Sequence, residues 1–133
     1  MFPALLDLPQ TSWICLVQAA HDYSLPPRAL LSVLLTEGGK PGTVSNNKNG
    51  SQDHGPFQIN TVWIRRLASD FGIAPALLTN DFCWSARAGA YILRYEINQA
   101  NGDFWTGVGH YHSRTAKFKE AYIAAVYRNS LKF

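Results

Sequence analysis

Residues 28–37, RALLSVLLTE, read as a helical turn pattern that is apolar almost all the way round and ends on two glycines. Pro27 suits the first turn of a helix, Gly38-Gly39 stops it in the manner of a C-cap, and Pro41 prevents its resumption. A helix with no polar face has to be buried, so this run predicts a central helix that other elements must surround. The chain has the material to do so. Its 133 residues are 47% hydrophobic and 16% charged, which fits one compact domain over residues 1–133 and excludes a disordered chain. A chain of this length buries about two-thirds of its unfolded surface, without needing a metal or a dense disulfide network. No run of 18 apolar residues is present to span a membrane.

Helical periodicity dominates the rest. Thr11 to His21 places Trp13, Leu16, Val17 and Ala20 on one face, with Thr11 or Ser12 available as cap. Asn60 caps a helix through Asp70 carrying Val62, Ile64 and Leu67. A turn around Pro75 to Leu78 precedes a longer helix, capped by Thr79 or Asn80 and reaching about Asn101. Its expected buried stripe is Trp84, Ala88, Tyr91, Ile92 and Tyr95. Asp103 to Tyr111 and Thr115 to Arg128 complete a mostly α chain. Between Gly42 and Gly55 the composition turns to Ser, Asn, Lys and Gly, with an Asn-Gly turn signal. This polar insertion reads as a loop or small hairpin, the kind of place where sites sit.

The start, MFPALLDLPQTSW, lacks the basic region and long apolar core of a signal peptide, which fits a cytoplasmic protein or the mature start of an exported one. Cys15 and Cys83 leave two buried thiols and one disulfide equally open. Neither the cysteines nor the His110-x-His112 pair has a convincing zinc-ligand pattern, so no metal and no cofactor is expected. From Phe104 onward there are five basic residues against the single acid Glu120, but charges this spread fit the solvated face of a terminal helix better than a nucleic-acid surface.

Only three of the nine acidic residues are Glu: Glu37, Glu96 and Glu120. Glu96 and Glu120 lie in ordinary helical stretches, where a solvated carboxylate is expected. Glu37 ends the apolar helix. Desolvation and the negative end of the helix dipole both disfavour its charge and raise its pKa. That is what a general acid needs to protonate a poor leaving group such as a glycosidic oxygen.

After Glu37 come the motif GSQDHGPFQIN and, further on, GVGHYHS. From roughly Trp13 to Tyr127 the sequence resembles the lysozyme-like lytic transglycosylases of the goose-type lysozyme superfamily. More narrowly, it resembles the small specialised members found with bacterial secretion, conjugation and pilus systems. The resemblance implies a lysozyme-like α+β fold and cleavage of peptidoglycan glycan strands between N-acetylmuramic acid and N-acetylglucosamine. It implies Glu37 as the single acid/base and Tyr111 as the tyrosine whose hydroxyl orients it. Gly55 and Gln58 match the motif where the backbone passes close to the sugar. Ser51 and His112 are further expected sugar contacts, and Ile59 is expected to pack inward. Among Trp63, Trp84, Trp105, Tyr91 and Tyr95, one or two are expected to line the cleft and most to be core. Asp53 is the nearest candidate for a second carboxylate, read preferentially as a turn-stabilising residue. The resemblance also pairs Cys15 with Cys83, and places the protein in the periplasm or cell envelope, with components of a secretion, conjugation or pilus machine as candidate partners. Two positions depart from the family pattern: Gly38 stands where a Ser is usual, and His112 where an Asn is usual. The readings kept beside a lytic transglycosylase are a hydrolytic muramidase of the same fold and a catalytically weak, peptidoglycan-binding assembly subunit.

Overall fold

The computed structural model describes residues 8–133; residues 1–7, part of the start examined for a leader, lie outside it. Among the described residues, seven helices and three short strands follow in chain order: α1 (Gln10–Asp22), α2 (Pro27–Glu37), β1 (Val44–Asn46), β2 (Gln52–His54), β3 (Ile59–Asn60), α3 (Thr61–Phe71), α4 (Pro75–Asn80), α5 (Phe82–Gln99), α6 (Phe104–His112) and α7 (Ala116–Ser130). The fold is mostly α, as expected.

The apolar run forms α2 with Pro27 in its first turn, and Leu30, Leu31, Ser32, Val33 and Leu34 are all buried. Five consecutive buried residues cover every face of a helix, which is the physical content of the uninterrupted apolar pattern. α2 packs on α1 and α7. The longest helix, α5, is the second hub and packs on α1, α4 and α6. Its inner face is built from Ser85, Ala86, Ala88, Gly89, Ala90, Ile92, Leu93 and Ile97. Small residues along the first half let neighbouring backbones approach closely.

Several local expectations shift. The cap of α5 is Asp81, whose carboxylate accepts from the Trp84 N–H at 3.0 Å, not Thr79 or Asn80, because the turn at Pro75 continues as the short helix α4 up to Asn80. Trp84 is 39% exposed, not part of the buried stripe, since burial follows the small residues one position on. Val17 and Val62 are exposed as well, whereas Leu16, Ala20, Ile64 and Leu67 are buried. α1 begins after Pro9, whose carbonyl receives the Ser12 and Trp13 amides, so neither Thr11 nor Ser12 is its cap. Asn60 does cap α3, accepting from Val62 N–H at 3.1 Å.

The polar insertion is a hairpin extended to three strands in the order β1-β2-β3, antiparallel throughout, with Ser45 opposite Asp53 and Asp53 opposite Asn60. Its tip is the expected Asn-Gly turn, closed by Gly50 N–H on the Asn47 carbonyl. Cys15 and Cys83 are bonded, Cα atoms 5.2 Å apart, and tie α1 to the first turn of α5.

Glu96 is the plainest departure. It is 6% exposed, and Oε1 accepts from the Arg114 guanidinium in the turn between α6 and α7. A buried carboxylate needs such a partner. Burial raises its pKa, while Arg114 and Arg66 pull it back. Nothing in the local sequence around Glu96 announces this, because the partner is supplied by the turn between α6 and α7. Glu120 is exposed, as expected.

Candidate active site

A cleft of about 440 Å³ opens where the C-terminal ends of α2 and α6 meet the hairpin and the start of α7. Glu37, Asp53, Ser51, Gln58, Tyr111 and His112 all line it, as do Trp63 and Phe118. Six of the seven positions singled out as catalytic or sugar-binding are therefore brought together from segments spread over 75 residues. Gly55 is the exception.

Glu37 is the last residue of α2, partly buried as a residue but with its carboxyl enclosed by protein. Desolvation raises its pKa from 4.5 to about 7; the nearby Asp53 charge adds to the rise, and a hydrogen bond from Tyr122 opposes it. At neutral pH both protonation states are therefore populated, which is the condition for a group that must first give and then take a proton.

The hydroxyl that reaches the acid is that of Tyr122 on α7, donating to Glu37 Oε2 at 2.6 Å. Tyr111, expected in that role, points its hydroxyl to the Phe57 carbonyl at 2.9 Å instead. The two phenols are stacked, with ring centroids 6.4 Å apart and planes at 13°. His112 lies on Tyr122 nearly parallel, at 4.8 Å and 8°. Burial pushes both phenols well above the usual tyrosine range, and the Glu37 charge pushes the same way, so both remain hydrogen-bond donors. Tyr111 thus positions the motif after the hairpin and packs on the ring that holds the acid. Tyr122 was missed because it sits inside an ordinary helical pattern, KEAYIAAVYR, where its buried position predicts only core.

The glycines beside the acid have distinct jobs. Gly38 closes α2 in the left-handed conformation, φ 68°, with its N–H on the Leu34 carbonyl. That geometry favours glycine over the usual Ser at this position. Gly39 is a matter of space: a Cβ there would lie 2.2 Å from the Gly55 carbonyl oxygen and 2.9 Å from that of Pro56. Gly55 itself is buried and is not among the residues lining the cleft; a Cβ would meet the Leu78 carbonyl at 2.5 Å. Its requirement for glycine is met by backbone packing against α4 and by its left-handed φ of 73°.

Gln58 lies beside this turn with φ 51° and donates from Nε2 to the Gly55 carbonyl at 2.9 Å. One of its two amide donors is thereby used in holding the turn. Ile59 is buried, as expected. Phe57, fully buried, anchors the motif against Gly89 of α5 and receives the Tyr111 hydroxyl.

The hairpin wall is a closed polar network. Asn60 Nδ2 donates to Asp53 Oδ1 at 2.9 Å and to Ser51 Oγ at 3.2 Å. Ser51 Oγ also accepts from Asn47 Nδ2 at 3.0 Å and donates to Asn49 Oδ1 at 2.6 Å. The Ser51 hydroxyl has no capacity left for a ligand unless that network opens. Asp53 is held by a side chain on the neighbouring strand, not by local turn backbone, and its carboxylate lines the same cleft as Glu37.

Comparison with known proteins points the same way. The profile of the Transglycosylase SLT domain family matches residues 14–128. The proteins named Invasion protein IagB of Salmonella typhimurium and Salmonella typhi are each 30% identical to the chain over 128 residues, covering 92% of this chain and 79% of the relative. The half-buried acid at the end of an apolar helix therefore has a family context, and the chain belongs to the Transglycosylase SLT domain family, whose members are lytic transglycosylases acting on peptidoglycan.

Proposed function

We propose that Glu37 alone serves as acid and then base in a lytic cleavage of peptidoglycan. Its neutral carboxyl protonates the glycosidic oxygen between N-acetylmuramic acid and N-acetylglucosamine as the anomeric C–O bond breaks. The resulting carboxylate accepts the proton of the muramoyl 6-hydroxyl as that oxygen bonds to the anomeric carbon. The product carries a 1,6-anhydro ring, no water is consumed, and Glu37 ends as it began. The observation that carries this reading is a carboxyl raised to about 7 by burial, hydrogen-bonded by Tyr122, and facing a polar cleft. Tyr122 steadies the carboxylate form, while Gln58 and His112 face the sugar.

A hydrolytic muramidase is the second reading, favoured by one observation. Asp53 shares the cleft and is near enough to raise the Glu37 pKa, which supports a role in orienting a water. Mass spectrometry of a peptidoglycan digest separates the two. Anhydro-muramoyl ends support the lytic route, reducing ends the hydrolytic one, and no cleavage a binding subunit with degenerate catalysis. Activity retained in Glu37→Gln would remove Glu37 from the mechanism.

The likeness to proteins named for invasion supports a role in opening the wall locally for an envelope-spanning secretion, conjugation or pilus machine. Cys15–Cys83 fits an oxidising compartment, and periplasmic action on the wall is the corresponding location.

A further inference from the structure

Of the five aromatic residues expected to supply one or two cleft faces, Trp63 is the one that lines it. It sits in the first turn of α3 and is held from several sides. The Tyr95 ring meets it at 5.1 Å and 80°, and the Tyr91 ring at 6.1 Å and 84°. Arg66, one helical turn on, places its guanidinium carbon 4.1 Å from the Trp63 ring centroid and 5.0 Å from that of Tyr95. The cation therefore sits in the corner between two perpendicular rings and covers one indole face.

Arg66 is in turn within the field of the buried Glu96, the carboxylate that also receives Arg114. Arg66 belongs to α3, on the hairpin side of the cleft. Arg114 follows directly on the His112–Ser113 edge. Glu96 thus pairs with Arg114 and lies within the field of Arg66, and neither reading of the acid/base chemistry uses it.

An indole whose orientation is set before ligand arrives loses little freedom on binding, and a flat aromatic face suits the C–H face of a pyranose ring. We propose that Trp63 is a stacking platform for an N-acetylated pyranose ring of the glycan strand, and that Arg66, seated against the Trp63 and Tyr95 rings, is the positioning residue that fixes its plane. This rests on the reading of the cleft as a glycan site.

The test uses the Glu37→Gln protein, in which ligand survives long enough to measure, with a soluble oligomer of N-acetylglucosamine and a purified peptidoglycan glycan fragment as probes. Calorimetry and tryptophan emission report binding. Adding Trp63→Ala is expected to weaken binding by about tenfold or more and to abolish most of the ligand-induced emission change, with Trp63→Phe intermediate. Arg66→Met is expected to weaken binding by roughly three- to tenfold, with partial rescue by Arg66→Lys. With Glu37 intact, both substitutions raise KM and leave kcat within about twofold, a split that a general loss of folding would not produce. Should Trp63→Ala fold poorly, protection of residue 63 from N-bromosuccinimide by the probe, read by mass spectrometry, gives the same answer in the unaltered cleft. If the Glu37→Gln parent binds and Trp63→Ala binds equally well, or residue 63 stays unprotected, the platform is overturned and the glycan reading stands. If the parent binds neither probe, both fall.

Discussion

Tyr122 and Glu37 are joined by a 2.6 Å hydrogen bond across 85 positions of sequence, from the middle of α7 to the last residue of α2. The bond favours the charged carboxylate, while burial and Asp53 favour the neutral acid. Their balance leaves the group near 7, and the parallel stack of His112 and Tyr111 on the Tyr122 ring keeps the hydroxyl aimed.

Tyr122→Phe removes the one contribution that lowers the Glu37 pKa, so the value rises further. The limb of the pH–rate profile that needs the protonated acid should then extend to higher pH. The maximal rate should fall by about tenfold, the worth of one hydrogen bond to a charged group. A profile superimposable on the parent's would show that the bond does not tune the acid.

Glu37→Gln should abolish glycan cleavage, by at least about a hundredfold, as expected for a general acid. The same change should stabilise the fold at alkaline pH. A carboxyl raised from 4.5 to about 7 contributes stability that is fully present below pH 4.5 and lost as pH rises through 7. The neutral amide carries no such loss. Melting temperatures of the two proteins should converge near pH 4 and separate above pH 7, with the variant higher.

Gly39→Ala and Gly38→Ala test space against conformation. At Gly39 the methyl would fall 2.2 Å from the Gly55 carbonyl, so the turn carrying Gln58 must move and activity should drop by an order of magnitude or more. At Gly38 nothing lies within 4 Å, and only the left-handed φ of 68° is penalised, about 1–2 kcal/mol of stability. Urea melts and digest rates should therefore both place Gly39→Ala below Gly38→Ala, with the larger gap in activity.

Reducing Cys15–Cys83, or replacing both by Ser, should cost about 4 kcal/mol in the chain-closure picture for a loop of 68 residues. That corresponds to a melting temperature lower by roughly 10–20 °C. Calorimetry with and without reductant measures it, and an unchanged melt would show that the bond restrains little.

Much of the scaffold was legible because it rests on local rules. The apolar run of α2, its Pro27 start and Gly38 stop, the Asn60 cap and the Asn-Gly hairpin tip all appear where residue type and spacing put them. The candidate acid was legible for the same reason: Glu37 ends a buried helix, and both burial and helix polarity act on it. The family motif located Gln58 and Tyr111 in the cleft, but not their contacts. The motif marks Gly55 as a place for glycine, and the packing that a Cβ would disturb there is the Leu78 carbonyl of α4. Glu96 was read as solvated because helical neighbours say nothing about an arginine arriving from another turn.

The order of elements, the burial of α2 and the carboxyl at its C-terminal end were thus set by the sequence alone, since each depends on interactions within a few residues. Which hydroxyl bonds the acid, which tryptophan reaches the cleft and which glutamate is buried were decided only by the tertiary structure. In each case the deciding partner is contributed by another segment: Tyr122 reaches Glu37 across 85 positions, and Arg114 reaches Glu96 from the turn after α6. Helical periodicity marks a side chain as inward-facing, but the atom it meets there is fixed by how the helices pack.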